Sequence, residues 1–309
     1  MALFLLRRSG QMVLVVLSVI TLVFVLLRIA AGDPARLMSA ADASEAQIEA
    51  TRAELGLDQS LFVQYLYFMR GLLQGDLGQS FHGSYAVRDV VLAALPNTVA
   101  LAAATVLVST VVALVLGVSS ALTRGSLFDR GVMIYAALAQ ATPNFWLAVI
   151  LVLVFAVQLD WLPAVDFTGP ASFVLPVTAM AVALTPILIR SIRQSFVETM
   201  EQDYIRAAWA RGIHPRKILL VHTLKVASLP LVTLIGLQAG IVLAGSYVIE
   251  VIFNWPGIGK LAVDSLTSRN FPMVQGAVLV AAVGFVLVNF VVDLVYSLLD
   301  PRIRLGGST

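Results

Sequence analysis

The sequence predicts an all-α integral membrane protein. Six transmembrane helices are expected with both chain ends cytoplasmic, a small helical extracytoplasmic cap after the first span, and a cytoplasmic helical loop between spans four and five. Three observations carry this reading. Of 309 residues 59% are hydrophobic and 12% charged, at a mean hydropathy of +0.92, whereas a soluble domain carries about twice that share of charge. Six apolar windows, 11–30, 94–122, 131–159, 173–196, 226–249 and 274–299, reach the roughly 20 residues a spanning helix needs. Finally, the charges sort by side. The N-terminus, the 123–130 turn, the 190–225 segment and the tail hold 13 Lys/Arg against 5 Asp/Glu, and the opposite loops hold 7 against 12. The excess of cations places both ends inside.

The chain divides into a first span (1–30), a cap (31–93) and a five-helix core (94–309). Arg7 and Arg8 precede an apolar run longer than that of a signal peptide, so the first span reads as an uncleaved anchor. In the cap, Ser44 and Gln47 form a capping box, Glu45–Leu55 follows as a helix, and Gly56 is placed to end it. A second, amphipathic helix runs from Leu61 to Leu73, with Phe62, Tyr65, Leu66, Met69 and Leu73 at helical spacing.

The core spans contain breakers: Pro143 in the third, Pro186 in the fourth and Pro230 near the start of the fifth. Proline removes a backbone hydrogen bond that hydrocarbon cannot replace, so protein or a watery cavity must supply partners. Polar residues gather on the same helices: Gln140, Thr142 and Asn144, then Gln238, Ser246 and Tyr247, then Asn289 and Asp293. They serve either as interhelical hydrogen bonds or as the lining and gate of a pathway. Asp293 lies close to the tail and makes no proton relay. Gly236, Gly240 and Ala244, four residues apart, allow close approach of a helix from this chain or from a second subunit.

The segment "DYIRAAWARGIHPRKILLVH", Asp203 to His222, is basic and Ala-rich inside this apolar chain. Tyr204 to Ala210 favours a helix, Gly212 suits the left-handed residue that ends one, and Pro215 suits the first turn of the next. Ala207, Ala208 and Ala210 leave the first helix thin enough to enter a groove. Trp209 offers an anchor, and Arg206, Arg211, Arg216 and Lys217 give rim charges. This is a docking element for a cytoplasmic protein; the competing reading is a helical pair lying on anionic lipid.

The same residues resemble the EAA loop of permease subunits in bacterial ATP-binding-cassette importers, with Arg206 where the general pattern has Glu. Asp203-Tyr204-Ile205-Arg206, Ala208, Ala210, Gly212, His222, Leu224 and Pro230 are similar to the dipeptide/oligopeptide/nickel permease family. Four further stretches agree: "LGLDQSLFVQYLYFMRGLLQGDLGQSF" from Leu55, "LPNTVALA" from Leu95, "ATPNFW" from Ala141, and "EVIFNWPGIGKLAVDSL" from Glu250 with "FPMVQG" after it. The likeness is to the first of the two paired permeases of that family, and Val226 departs from it where Asn is frequent.

The resemblance implies a subunit that performs no chemistry and binds no cofactor, while ATP and Mg are used by partner subunits. Those partners would be a homologous second permease, two cytoplasmic ATPases and an extracytoplasmic solute-binding protein, all at a bacterial inner membrane. The coupling loop would be 197–225, with Tyr204, Arg206, Ala207, Ala208, Trp209, Ala210, Arg211, Gly212, His214 and Pro215 at the ATPase. The outer loop, 250–273, offers Glu250, Trp255, Pro256, Gly257 and Asp264 as contacts for the binding protein. Short peptides are the expected cargo, with nickel chelates, glutathione or another small solute as the alternative.

Other classes fit poorly. "GIGKL" from Gly257 lacks the first Gly and the Ser/Thr of a phosphate loop, having Asn254 and Leu261 there. With no Cys and three scattered His, neither a thiol metal site nor a paired-His enzyme centre is expected. An ion-coupled carrier would be expected to carry carboxylates or His near the bilayer centre. A net charge of +2 gives no footprint for nucleic acid.

Overall fold

The computed structural model describes residues 2–30, 35–36, 44–54, 56–83, 85–165, 167, 169–227 and 229–299. The tail from 300, most of 31–43, and the side chains of Ala244 and Asp293 lie outside this description. Among the described residues the regular elements are all helical. Four helices are long and apolar enough to cross a membrane, and six spans result if each of two bent pairs counts as one.

In chain order these are α1 (Ala2–Ala30), α2 (Glu45–Glu54), α3 (Leu61–Leu73), α4 (Val87–Leu122), α5 (Leu127–Ala141), α6 (Asn144–Leu151) and α7 (Val174–Met200). Then come α8 (Asp203–Ala210), α9 (Pro215–Ala227), α10 (Leu229–Gly245), α11 (Tyr247–Ile252), α12 (Ile258–Thr267) and α13 (Phe271–Leu299). A π-helical turn, Val152–Gln158, continues α6, and another, Ile218–Thr223, lies within α9.

Two compact units can be separated. One comprises Val99–Trp255 with the residues from Leu287 onward, the other Leu3–Thr98 with Pro256–Val286, and α4 and α13 each run through the boundary. In the first unit α7 is the central helix, since two-thirds of its apolar window is buried. Leu188, Ile189 and Ile192 of α7 pack with Ala113 of α4, Val132 of α5 and Leu231 of α10. Nearer the other end of α7, Leu175 and Met180 join Ala148, Ile249, Phe253 and Trp255. Gly117 lets α4 approach α7: a Cβ there would lie 2.8 Å from the Ile192 side chain.

The third window, expected as one span, is broken. α5 ends at Ala141, Pro143 caps α6, and the two helices diverge by 98°. Proline disfavours helical geometry at the residue before it, and Thr142 is extended, with ψ 120°. Its backbone N–H and its hydroxyl both donate to the Leu138 carbonyl, at 3.1 and 2.8 Å, which ties the capping residue to the last turn of α5. At the start of the fifth window Pro215–Ala227 and Pro230–Leu243 diverge by 53°. Pro186, by contrast, stays within a continuous α7. Proline cannot donate to the carbonyl four residues back, and here the Thr185 hydroxyl donates to that Val182 carbonyl at 3.1 Å.

In the second unit α2 begins as its sequence indicates. The Ser44 N–H donates to Gln47 Oε1 at 2.8 Å, the reverse arm from Gln47 N–H to Ser44 Oγ is 3.4 Å, and Gly56 has φ +63°. The packed face of α3 differs from the expected stripe. Tyr65 and Phe68 set their rings against Phe24 of α1 at 5.3 and 5.6 Å, and Thr21 and Tyr65 share a hydrogen bond of 2.8 Å. Phe62, Leu66 and Leu73 are exposed. Beside a bilayer, an outward apolar stripe has hydrocarbon available, so periodicity alone does not tell which side faces protein.

Candidate functional site

The segment from Asp203 folds as two short helices meeting at Gly212. α8 stops where Gly212 takes φ +70°. The Gly212 N–H donates to the Trp209 carbonyl at 3.0 Å and the Ile213 N–H to the Ala208 carbonyl at 3.3 Å, the pattern of a Schellman ending. Ile213 then packs on Ile205, Ala208 and Ile218. Pro215 opens α9, and His214 Nδ1 accepts the Arg216 N–H at 3.3 Å, capping the new helix.

This packing divides α8 into two faces. Ile205 and Ala208 are buried against α9, whereas Tyr204, Arg206, Ala207, Trp209, Ala210 and Arg211 face outward. Tyr204 and Trp209 remain 46% and 44% exposed, so two aromatic rings stand on a helix otherwise narrowed by alanine. Ala208, grouped by sequence with the thin outer face, is instead the residue on which α9 rests. The exposed Leu220 and Val221 of α9 extend the apolar surface.

The loop is mounted on α7, and two ion pairs tie the 123–130 turn to that helix. Arg193 donates from Nε and Nη2 to the two oxygens of Asp129, each at 2.7 Å. Arg124 reaches Glu201 at 2.8 Å on the surface. Asp129 is buried and further accepts the Ser120 hydroxyl and the Gly125 N–H. Higher on the same helix pair, Tyr135 and Thr185 share a 3.2 Å hydrogen bond, and Arg190 donates to the Ala136 carbonyl at 3.3 Å and to Gln140 Oε1.

The polar residues expected along a pathway do not form one cluster. Gln140 is exposed and holds Arg190; at the α5–α6 break the Thr142 hydroxyl donates to the Leu138 carbonyl and Asn144 Oδ1 accepts the Phe145 N–H. Gln238 is buried, Tyr247 is exposed, and Asn289 is half-buried on α13. Buried Ser246 donates to Glu250 Oε1 at 2.8 Å. An apolar groove of about 480 Å³ lies among Val99, Ala103, Leu107, Ile235, Ala239 and Leu243, and none of these polar residues lines it.

In residues 250–273, expected as an outer loop, the structure corrects the expected contacts. Glu250 is 0% exposed and Trp255 1%, so neither is on the surface. Glu250 binds Ser246, and its carbonyl accepts the Trp255 N–H at 2.8 Å. Trp255 sits edge-on to Phe167 and Phe173, at 5.1 and 4.7 Å between ring centres. Gly257 is buried as well, while Pro256 and Asp264 are exposed, the latter paired with Lys260.

Sequence reasoning missed the buried Asn270. Its side chain accepts the Phe81 N–H at 3.2 Å and donates to Ser80 Oγ at 2.8 Å, and His82 Nε2 donates to the Ser268 carbonyl at 2.7 Å. Residues 80–82 are thereby fastened to the corner before α13. The sequence signal was faint: a polar Arg269-Asn270 pair before an apolar helix. Among the described residues no three His, Asp or Glu gather closely enough to hold a metal ion.

Residues 113–305 match the family described as binding-protein-dependent transport system inner membrane component, and residues 1–102 match its N-terminal counterpart. The chain is 36% identical to a glutathione transport system permease protein, GsiC, of Pectobacterium atrosepticum, over 96% of this chain and 97% of that one. It is 35% identical to a di/tripeptide transport system permease protein, DppB, of Pseudomonas aeruginosa, over 97% and 98%. Among solved structures, the inward-facing MetNI methionine ABC transporter aligns with a TM-score of 0.54 at 19% identity, over 68% of this chain and 96% of that one, a likeness of fold.

Proposed function

Because the chain belongs to the family of binding-protein-dependent transport system inner membrane components, in its dipeptide/oligopeptide branch, we propose that it forms half of the pathway through which an ATP-driven importer takes up short peptides. It is a multi-pass permease subunit of a bacterial inner membrane. On this reading the bent pair α5–α6 is a single span, α10 is the fifth span with α9 left in the cytoplasmic loop before it, and both ends are cytoplasmic. A homologous permease completes the pathway, two ATPases sit below it, and a solute-binding protein delivers cargo above it.

The observation that carries the proposal is the outward face of α8. Tyr204 and Trp209 project from an Ala-lined helix set off by Gly212 and rigidly backed by Ile205, Ala208 and Ile218. A buried aromatic anchor in a groove is how one protein seizes another with few residues, and mounting on α7 lets ATPase closure move the spans. Two states then differ in the contacts they offer, as a ligand-driven transition requires. At the outer side, exposed Pro256 and Asp264 remain as contacts for the binding protein. Glutathione or another small solute is the second reading of the cargo, favoured by the GsiC likeness.

Purification of the tagged chain from its native membrane in mild detergent, with mass spectrometry of accompanying proteins and small molecules, tests this. Recovery of a second six-span protein, ATPases and a solute-binding protein with peptide bound is the expected result. The chain recovered alone over a range of detergents overturns the importer, and glutathione on the binding protein decides for the second cargo.

A further inference from the structure

Counted by charge, Arg190 falls among the cytoplasmic cations of 190–225; the fold puts it inside α7, ten residues before Met200, or about 15 Å of helix. Its acceptors are both neutral: the Ala136 carbonyl and Gln140 Oε1. Among the described residues no carboxylate lies within ion-pair distance of it. Asp129, the acid of the adjoining helix, has both oxygens on Arg193. The guanidinium is permanently charged, and both contacts use Nη2, so Nη1 and Nε keep donors for a further acceptor. Gln140, whose carbonyl faces the guanidinium, carries two further amide N–H donors. Both residues are exposed on the chain. The group is therefore all donors, with one full positive charge.

A second observation concerns the backbone. Two residues beyond Gln140 the helix is broken by 98° at Thr142–Pro143. Non-helical backbone at membrane depth persists only where protein covers it or water reaches it, and a cation at such depth marks a pathway or a polar partner. We propose that Arg190 and Gln140 form a carboxylate-recognising station on the transport pathway, which takes the carboxylate of a small zwitterionic or anionic cargo. The inference rests on the permease reading above, and it makes Arg190 a specificity-determining residue.

The chain has no cysteine, so a single Gln140→Cys variant, assembled with Cys-free partner subunits in proteoliposomes, reports on this position alone. The anionic reagent sulfonatoethyl methanethiosulfonate is expected to react about tenfold faster than the cationic trimethylammonioethyl reagent, the low end of focusing by a one-signed cleft. Arg190→Gln should bring the two rates together and Arg190→Lys should keep them apart. No reaction with either reagent overturns the proposal, as does a ratio indifferent to Arg190. Reaction only without anionic lipid assigns the guanidinium to a phosphate headgroup, and reaction only in the isolated chain assigns it to a partner's carboxylate; either result overturns it. In parallel, uptake of trialanine and glutathione by the wild-type complex tests the permease reading itself. Given uptake, Arg190→Gln should raise KM about tenfold for the transported carboxylate and Arg190→Lys should keep it near the wild-type value; an unchanged KM in Arg190→Gln overturns the cargo assignment.

Discussion

Asp129 and Arg193 meet through two parallel hydrogen bonds of 2.7 Å, joining the first turn of α5 to α7 across 64 residues of sequence. A bidentate guanidinium–carboxylate pair fixes orientation as well as distance. Breaking a buried pair strands a charge and costs about 3–5 kcal/mol, whereas replacing both partners by apolar groups is often tolerated. Arg193→Met should therefore lower the unfolding midpoint of the detergent-solubilised chain sharply, and Asp129→Leu added to it should restore much of the loss. Equal midpoints for the single and double variants would mean that the pair carries little of the α5–α7 join.

Gly212 makes a different kind of prediction. A Cβ there meets nothing within 4 Å, but φ is +70°, so the penalty of substitution is in the dihedral and not in a clash. A branched residue costs about 1–2 kcal/mol in this region, and Asn is tolerated better. Gly212→Val should depress solute uptake while membrane insertion is unchanged, and Gly212→Asn should transport nearly normally. Equal uptake in both variants would show that the turn does not govern coupling.

Much of this loop was legible because its signals are local: a helix former run, a left-handed glycine and a proline lie within a dozen residues. The α5–α6 break was half legible. Pro143 announces an interruption, but the 98° angle is set by what Ala148 and its neighbours pack against. Glu250 and Trp255 were misplaced because polarity and turn chemistry suggest surface, while Ser246 and two phenylalanines from distant positions bury them. Asp129, Arg193 and Arg190 read as loop charges for a related reason: Arg193 meets Asp129 across 64 residues and Arg190 meets Gln140 across 50, and a single sequence holds no trace of that pairing.

Trp209 should separate folding from docking. At 44% exposure its ring contributes modestly to the chain's own packing, whereas an anchor seated in a partner groove is worth about 2 kcal/mol or more. Trp209→Ala is expected to leave the unfolding midpoint of the isolated chain nearly unchanged. It should weaken ATPase attachment roughly thirtyfold, the ratio equivalent to about 2 kcal/mol. Equal attachment, measured by titrating purified ATPase onto the reconstituted permease, would return α8 to the lipid surface.

Gly236 answers which helix the small-residue stripe on α10 admits, at least at its first position. A Cβ built there would stand 2.1 Å from Cγ1 of Val292 on α13, so the close neighbour belongs to this chain and not to a second subunit. Val292 is β-branched and stiff at χ1, leaving the helices themselves to move if the glycine gains a methyl. Overpacking of this kind costs about 1–3 kcal/mol. Gly236→Ala should accordingly destabilise the solubilised chain, and Val292→Ala, which removes the two opposing methyls, should recover most of that loss. The coupling between the two substitutions, read from a double-mutant cycle of unfolding midpoints, isolates the contact. Additive effects would mean that α10 and α13 can separate freely at this level, and that the glycine serves another neighbour.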